Sequence, residues 1–136
     1  MKKLAIFVEG QTEQIFVEAL CSEVIGTKHL KLEVYGASGG GQAGPRTIQL
    51  LRAFGNTPEA QYFVMIVDCG CDNRVRSDIA DRYDGLVAAG YAAVIGIRDV
   101  YPDVSFNDIP KLRAGLQMGL KAKSYPSAIL FGCHGG

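Results

Sequence analysis

The sequence has no tryptophan, and no apolar run approaches the roughly 18 residues that a membrane-crossing helix needs. It also lacks an excess of either charge, since 14 lysines and arginines balance 14 aspartates and glutamates. A neutral chain sets up no general field toward a polyanion, so a surface for nucleic acid must be local or supplied by a partner. The amino terminus runs Met1-Lys2-Lys3-Leu4-Ala5-Ile6-Phe7-Val8 and meets Glu9 before a secretory core is complete. The expected location is the cytoplasm, with no membrane partner. Four cysteines at irregular spacing do not form a secreted disulfide scaffold, and reduced thiols are the default in that compartment. Repeats and linkers are absent, and the glycines at 39–41 are the sole biased stretch. What is present is an ordinary globular composition, 48% hydrophobic and 21% charged over 136 residues, which fits one domain around one core.

Residues 4–8 form an almost unbroken apolar run, the pattern of a strand buried on both faces. Ile15, Phe16, Ala19, Leu20 and Val24 then recur at helical spacing over 11–25, with Gly26 as a stop. Leu30, Leu32 and Val34 alternate with Lys31, Glu33 and Tyr35 and read as a half-covered strand, followed by a glycine-rich stretch at 36–44. Pro45 and Gly55 bracket an expected short helix with Ile48, Leu51 and Phe54 on one face. Residues 62–67 are the strongest strand signal and the expected sheet centre. Val75, Ile79, Tyr83 and Leu86 mark a second long helix, and residues 92–97 another buried strand. A polar loop at 99–107 precedes an expected helix capped by Asp108 and carrying Leu112, Leu116 and Leu120. A fifth strand is expected at 127–131. Alternating strands and helices imply an α/β fold, Rossmann-like, with a mostly parallel sheet of four to five strands and helices on both faces.

Ligands of such sheets bind beyond the carboxyl ends of the strands, which selects the residues that matter. Glu9 ends the first strand and Glu13 opens the helix after it, where the positive helix end favours a carboxylate. Asp68 and Asp72 flank the end of the central strand, and Asp99 ends the next. Hard oxygen donors in this pattern suit Mg²⁺ or Mn²⁺, held by a few carboxylates together with substrate phosphate. Solvated carboxylates are nevertheless common at strand ends, so the argument rests on their number on one rim. The loop at 39–44 leads to Arg46; its glycines read first as a mobile connection, and Gly40, Gly41 and Arg46 are the candidate phosphate contacts. The loop lacks the Gly-Lys-Ser/Thr ending of a nucleoside-triphosphate loop.

The segment Ile6-Phe7-Val8-Glu9-Gly10-Gln11-Thr12-Glu13, followed by an acidic turn after the third strand, resembles the Toprim domain. It looks closest to the overcoming-lysogenization-defect nucleases and their small relatives. The resemblance covers the strand and helix order of nearly the whole chain, but only the two acidic motifs are specific. It implies a Mg²⁺-dependent nuclease cleaving DNA or RNA, with Glu9 as metal ligand or general acid/base, and Glu13, Asp68 and Asp72 as metal ligands. Asp99 would be a spare ligand for a second ion. It further implies an ATPase partner in a defence or repair system. The usual Asp-x-Asp reads Asp68-Cys69-Gly70 here. Such relatives continue past the fifth strand into a segment with another glutamate and a tryptophan. The expectation is therefore a single Toprim-like domain over 1–136, either naturally short or truncated at its carboxyl end.

Two other readings stay open. One is a non-catalytic binding or regulatory module, favoured by Gly70; the other is an anion- or nucleotide-binding α/β domain using the glycine loop. A zinc site from Cys69, Cys71, Cys133 and His134 is disfavoured by its tight spacings. Tyr101 and Phe106 suit a hydrophobic loop anchor better than a base-stacking platform.

Overall fold

The computed structural model describes residues 1–55, 57–99 and 127–132, the last six through their backbone. The strands are β1 (Lys2–Val8), β2 (Leu30–Ser38), β3 (Thr47–Phe54), β4 (Tyr62–Asp68), β5 (Tyr91–Asp99) and β6 (Ser127–Gly132), and the helices α1 (Gln11–Ile25) and α2 (Val75–Ala88). They form one sheet in the order β3-β2-β4-β1-β5-β6. Five strands run parallel, as the alternating pattern requires, and β3 is antiparallel to β2. The fold is α/β with a mostly parallel sheet. The helix expected after Asp108, the loop before it, and Cys133 and His134 lie outside the described residues.

The period-two geometry of the central strands builds two cores from one sheet. Ala5 and Phe7 of β1, with Met65 and Val67 of β4, face α2, where they meet Val75, Ile79, Tyr83 and Leu86. Ile6 and Val8, with Val64 and Ile66, face α1 and meet Val17, Cys21 and the β2 residues Leu30, Leu32 and Val34. A helix thus covers each face. The middle pair β1 and β4 is buried on both sides, which is why those segments are continuous apolar runs while β2 alternates.

Two local expectations are corrected. Between Pro45 and Gly55 the chain forms a strand, Thr47–Phe54, not a short helix. Ile48, Leu51 and Phe54 mimic a helical period because the β2–β3 ladder carries a bulge, where Val34 pairs with Arg52 but Tyr35 pairs with Leu50. One extra residue on β3 moves Leu51 out of simple alternation. The second correction concerns α1, whose buried residues are Gln14, Val17 and Cys21, while Ile15, Phe16, Leu20 and Val24 are exposed. The face that α1 turns to the sheet is therefore the one centred on Val17 and Cys21, not the more apolar one. In α2 the expected Val75, Ile79, Tyr83 and Leu86 are all buried.

Leu32, fully buried in the α1-side core, and Leu51, half exposed on β3, give a direct comparison. Leu32→Ala is expected to lower unfolding free energy by about 2–5 kcal/mol and Leu51→Ala by about 0.5 kcal/mol or less. Urea denaturation followed by circular dichroism measures both.

Candidate functional site at the carboxyl ends of the strands

Parallel pairing fixes which chain segments reach the same rim. Val8 pairs with Asp68, and the N–H of Cys69 donates to the carbonyl of Val8 at 2.9 Å, so Glu9 follows the residue beside Asp68. On the other flank of β4, Gly36 pairs with Asp68, which brings the end of β2 and the glycine loop to the same edge. Asp99 ends β5 on the far side of β1, where Phe7 pairs with Gly96. The backbone therefore brings Glu9, Asp68, Asp72, Asp99 and the 39–44 loop to one end of the sheet.

Side chains are less convergent than the backbone. The carboxylate of Glu13, in the first turn of α1, folds back so that Oε2 would lie 3.5 Å from a Cβ on Gly10. Asp68 Oδ1 accepts a hydrogen bond from the N–H of Gly70 at 2.9 Å and braces the turn that follows β4. The side chains of Asp72 and Asp99 are outside the described set. Among the described residues no three His, Cys, Asp or Glu side chains gather into a metal-binding group.

The dominant polar feature of the rim involves Arg46, expected as a phosphate contact. Its Nε donates to Asp78 Oδ1 at 3.0 Å and its Nη2 to Asp78 Oδ2 at 2.9 Å, a bidentate pair. Nη2 also donates to the carbonyl of Cys69 at 2.6 Å, and Nη1 to that of Gly39 at 3.2 Å. Asp78 is only 2% exposed and sits on the buried side of α2. The hydrogen bonds to Asp78 push the Arg46 pKa up from its ordinary value, so the guanidinium stays charged. Arg46 therefore ties the β2–β3 loop, the end of β4 and α2 together, and one Nη1 hydrogen remains for any other contact.

The glycine loop is a closed hairpin connection. The N–H of Gly40 donates to Gly44 O at 2.7 Å, and that of Ala43 to Gly40 O at 3.1 Å. Gly39, at φ +88°, has no room for a side chain, because a Cβ would lie 2.2 Å from the carbonyl oxygen of Pro45. A second arginine meets this loop: a Cβ on Gly40 would lie 3.0 Å from Arg74 Nη1 and 3.1 Å from Nη2.

Sequence reasoning missed Asp78 and Arg74. Asp78 had a readable signal, since it stands three residues after Val75 and one before Ile79 on the buried stripe of α2. A carboxylate on such a stripe needs a buried cation. Arg74 had none, because its contact with Gly40 bridges 34 positions of the chain.

Cys69 is buried and Cys71 exposed. Burial pushes the Cys69 thiol far above its ordinary value, and nearby Asp78 adds to the shift. No protein-family model, curated protein or solved structure matches the chain.

Arg46→Ala is expected to cost about 3–5 kcal/mol, because Asp78 is left buried without its partner, and the variant Arg46→Leu/Asp78→Leu should cost less than Arg46→Ala alone. Chemical denaturation of the set tests this. Iodoacetamide at pH 8 under native conditions should alkylate Cys71 and spare Cys69 and Cys21, as read by peptide mass spectrometry; in denaturant all three should react.

Proposed function

We propose that this chain is a Toprim-like, Rossmann-like domain that holds Mg²⁺ or Mn²⁺ at the carboxyl ends of β1 and β4 and cleaves phosphodiester bonds of DNA or RNA. The observation that supports it is the register of Val8 with Asp68, which makes Glu9 and Asp68 neighbours at the end of the two most buried strands. The ion would be held by Glu9 and Asp68, with Glu13, Asp72 and Asp99 as further carboxylates of the rim. When bound, such an ion neutralises charge developing on phosphoryl oxygens and activates water. Glu9 is the residue proposed to move a proton at the attacking or leaving oxygen. An ATPase partner in a defence or repair system follows from the resemblance alone, and a cytoplasmic setting from the sequence pattern alone.

A second reading, a non-catalytic binding or regulatory module, is favoured by one observation. Gly70, at φ +84°, stands where the family's second aspartate is expected, and its N–H engages Asp68 Oδ1. The carboxylate that would hold metal thus also serves the turn.

Calorimetric titration with Mg²⁺ and Mn²⁺ separates these readings. Wild type should bind at millimolar metal or tighter, and Glu9→Gln and Asp68→Asn should weaken binding about tenfold or more, a cost typical of a charged contact. Asp68→Asn keeps an acceptor for Gly70, so its loss reports on charge and not on the turn. Plasmid nicking that disappears in both variants supports the nuclease. Carboxylate-dependent metal binding without nicking supports the module, and no metal binding at all removes the first reading.

A further inference from the structure

Two arginines reach the glycine loop, and their circumstances differ. Arg46 is neutralised by the buried carboxylate of Asp78 and spends most of its donors on Asp78, Gly39 and Cys69. Arg74 is half-buried, and among the described residues its guanidinium has no hydrogen-bond or ion-pair partner. Its Nη1, Nη2 and Cζ would lie 3.0, 3.1 and 3.3 Å from a Cβ on Gly40, so the flat group lies directly against the glycine backbone.

We propose that the guanidinium of Arg74, seated on Gly40, is a phosphate-binding group at the rim of the sheet. Its place is right for a ligand. Arg74 follows the turn after β4 and Gly40 follows β2, two adjacent parallel strands whose carboxyl ends meet at the Gly36–Asp68 pair. Both sides are held before any ligand arrives. The Arg74 N–H donates to Cys71 O at 3.3 Å, and its carbonyl accepts from Ser77 Oγ at 3.2 Å. Across from it, Arg46 holds Gly39 and the Gly40 N–H closes on Gly44. A guanidinium that is positioned, partly desolvated and, among the described residues, uncompensated loses little freedom on binding, and its planar fork matches two phosphate oxygens. Gly40 is required twice, for its φ of +100° and for the space that Arg74 occupies. The site rests on the proposed function for its role in handling a phosphodiester, not for its existence, so its test uses no divalent metal.

The probe is inorganic phosphate, titrated in EDTA into the ¹⁵N-labelled full chain and followed by two-dimensional NMR. Saturable shifts are expected at the Gly40 amide and at Arg74 Nε–H. Arg74→Ala and Arg74→Gln should each weaken binding about tenfold or more, Arg74→Lys should restore part of it, and the exposed Arg76→Ala should leave it unchanged. Gly40→Ala should also weaken binding, since the added methyl displaces the guanidinium. The proposal is overturned by the absence of saturable shifts, by wild-type affinity in a folded Arg74 variant, or by equal loss in Arg76→Ala. Phosphate binding that depends on Arg74, without carboxylate-dependent metal binding, would keep this site and remove the metal reading. Metal binding without Arg74-dependent phosphate binding would do the reverse.

Discussion

The Arg46–Asp78 pair is the interaction on which the rim depends. It joins the residue just before β3 to a carboxylate buried in α2, and in passing it holds the carbonyls just after β2 and β4. Burying two charges is expensive, and a pair of this kind is retained at low cost only when geometry is good and remaining donors are satisfied. The contact is bidentate, and two of the three other N–H groups meet backbone oxygens. A hydrophobic pair could fill the same space, but it could not fix Gly39 and Cys69. What the ion pair supplies is therefore position: it sets where the glycine loop lies relative to the turn after β4.

Around that clamp the sheet assigns the chemistry. The middle strands β1 and β4 are buried on both faces and deliver Glu9 and Asp68 side by side, while β2 delivers the loop from the other flank. Acidic groups sit toward β1, and a cation sits toward β2. Under the proposed function, a carboxylate side and a guanidinium side would meet a metal ion and a phosphodiester respectively, and neither side requires the protein to carry net charge. The balanced composition is thus compatible with a polyanionic substrate recognised locally.

The parallel part of the fold was readable because buried strands and the α2 stripe announce themselves in apolar periodicity. Where reading failed, a tertiary constraint had overruled a local signal. β3 looked helical because a bulge disturbed its alternation, and α1 turns its most apolar residues outward, with Val17 and Cys21 packed against the sheet instead. The site divides in the same way. The rim positions of Glu9 and Asp68 could be read, since each lies at the end of a recognisable strand. Arg46 could be found as a cation by the loop, but its engagement with Asp78 could not, because that pairing spans 32 positions and depends on α2 lying against the sheet. Arg74 beside Gly40 belongs to the same class of contact.

The bulge in the β2–β3 ladder has one more consequence. Among the described residues β3 is an outermost strand, with Leu50, Leu51 and Phe54 substantially exposed and no proline within it. Such an edge is a template for stacking one molecule's sheet onto the next. A bulge bends and twists the strand that carries it, which makes straight continuation by another chain less favourable. The irregularity that disguised this strand is also a defence against self-assembly into fibrils.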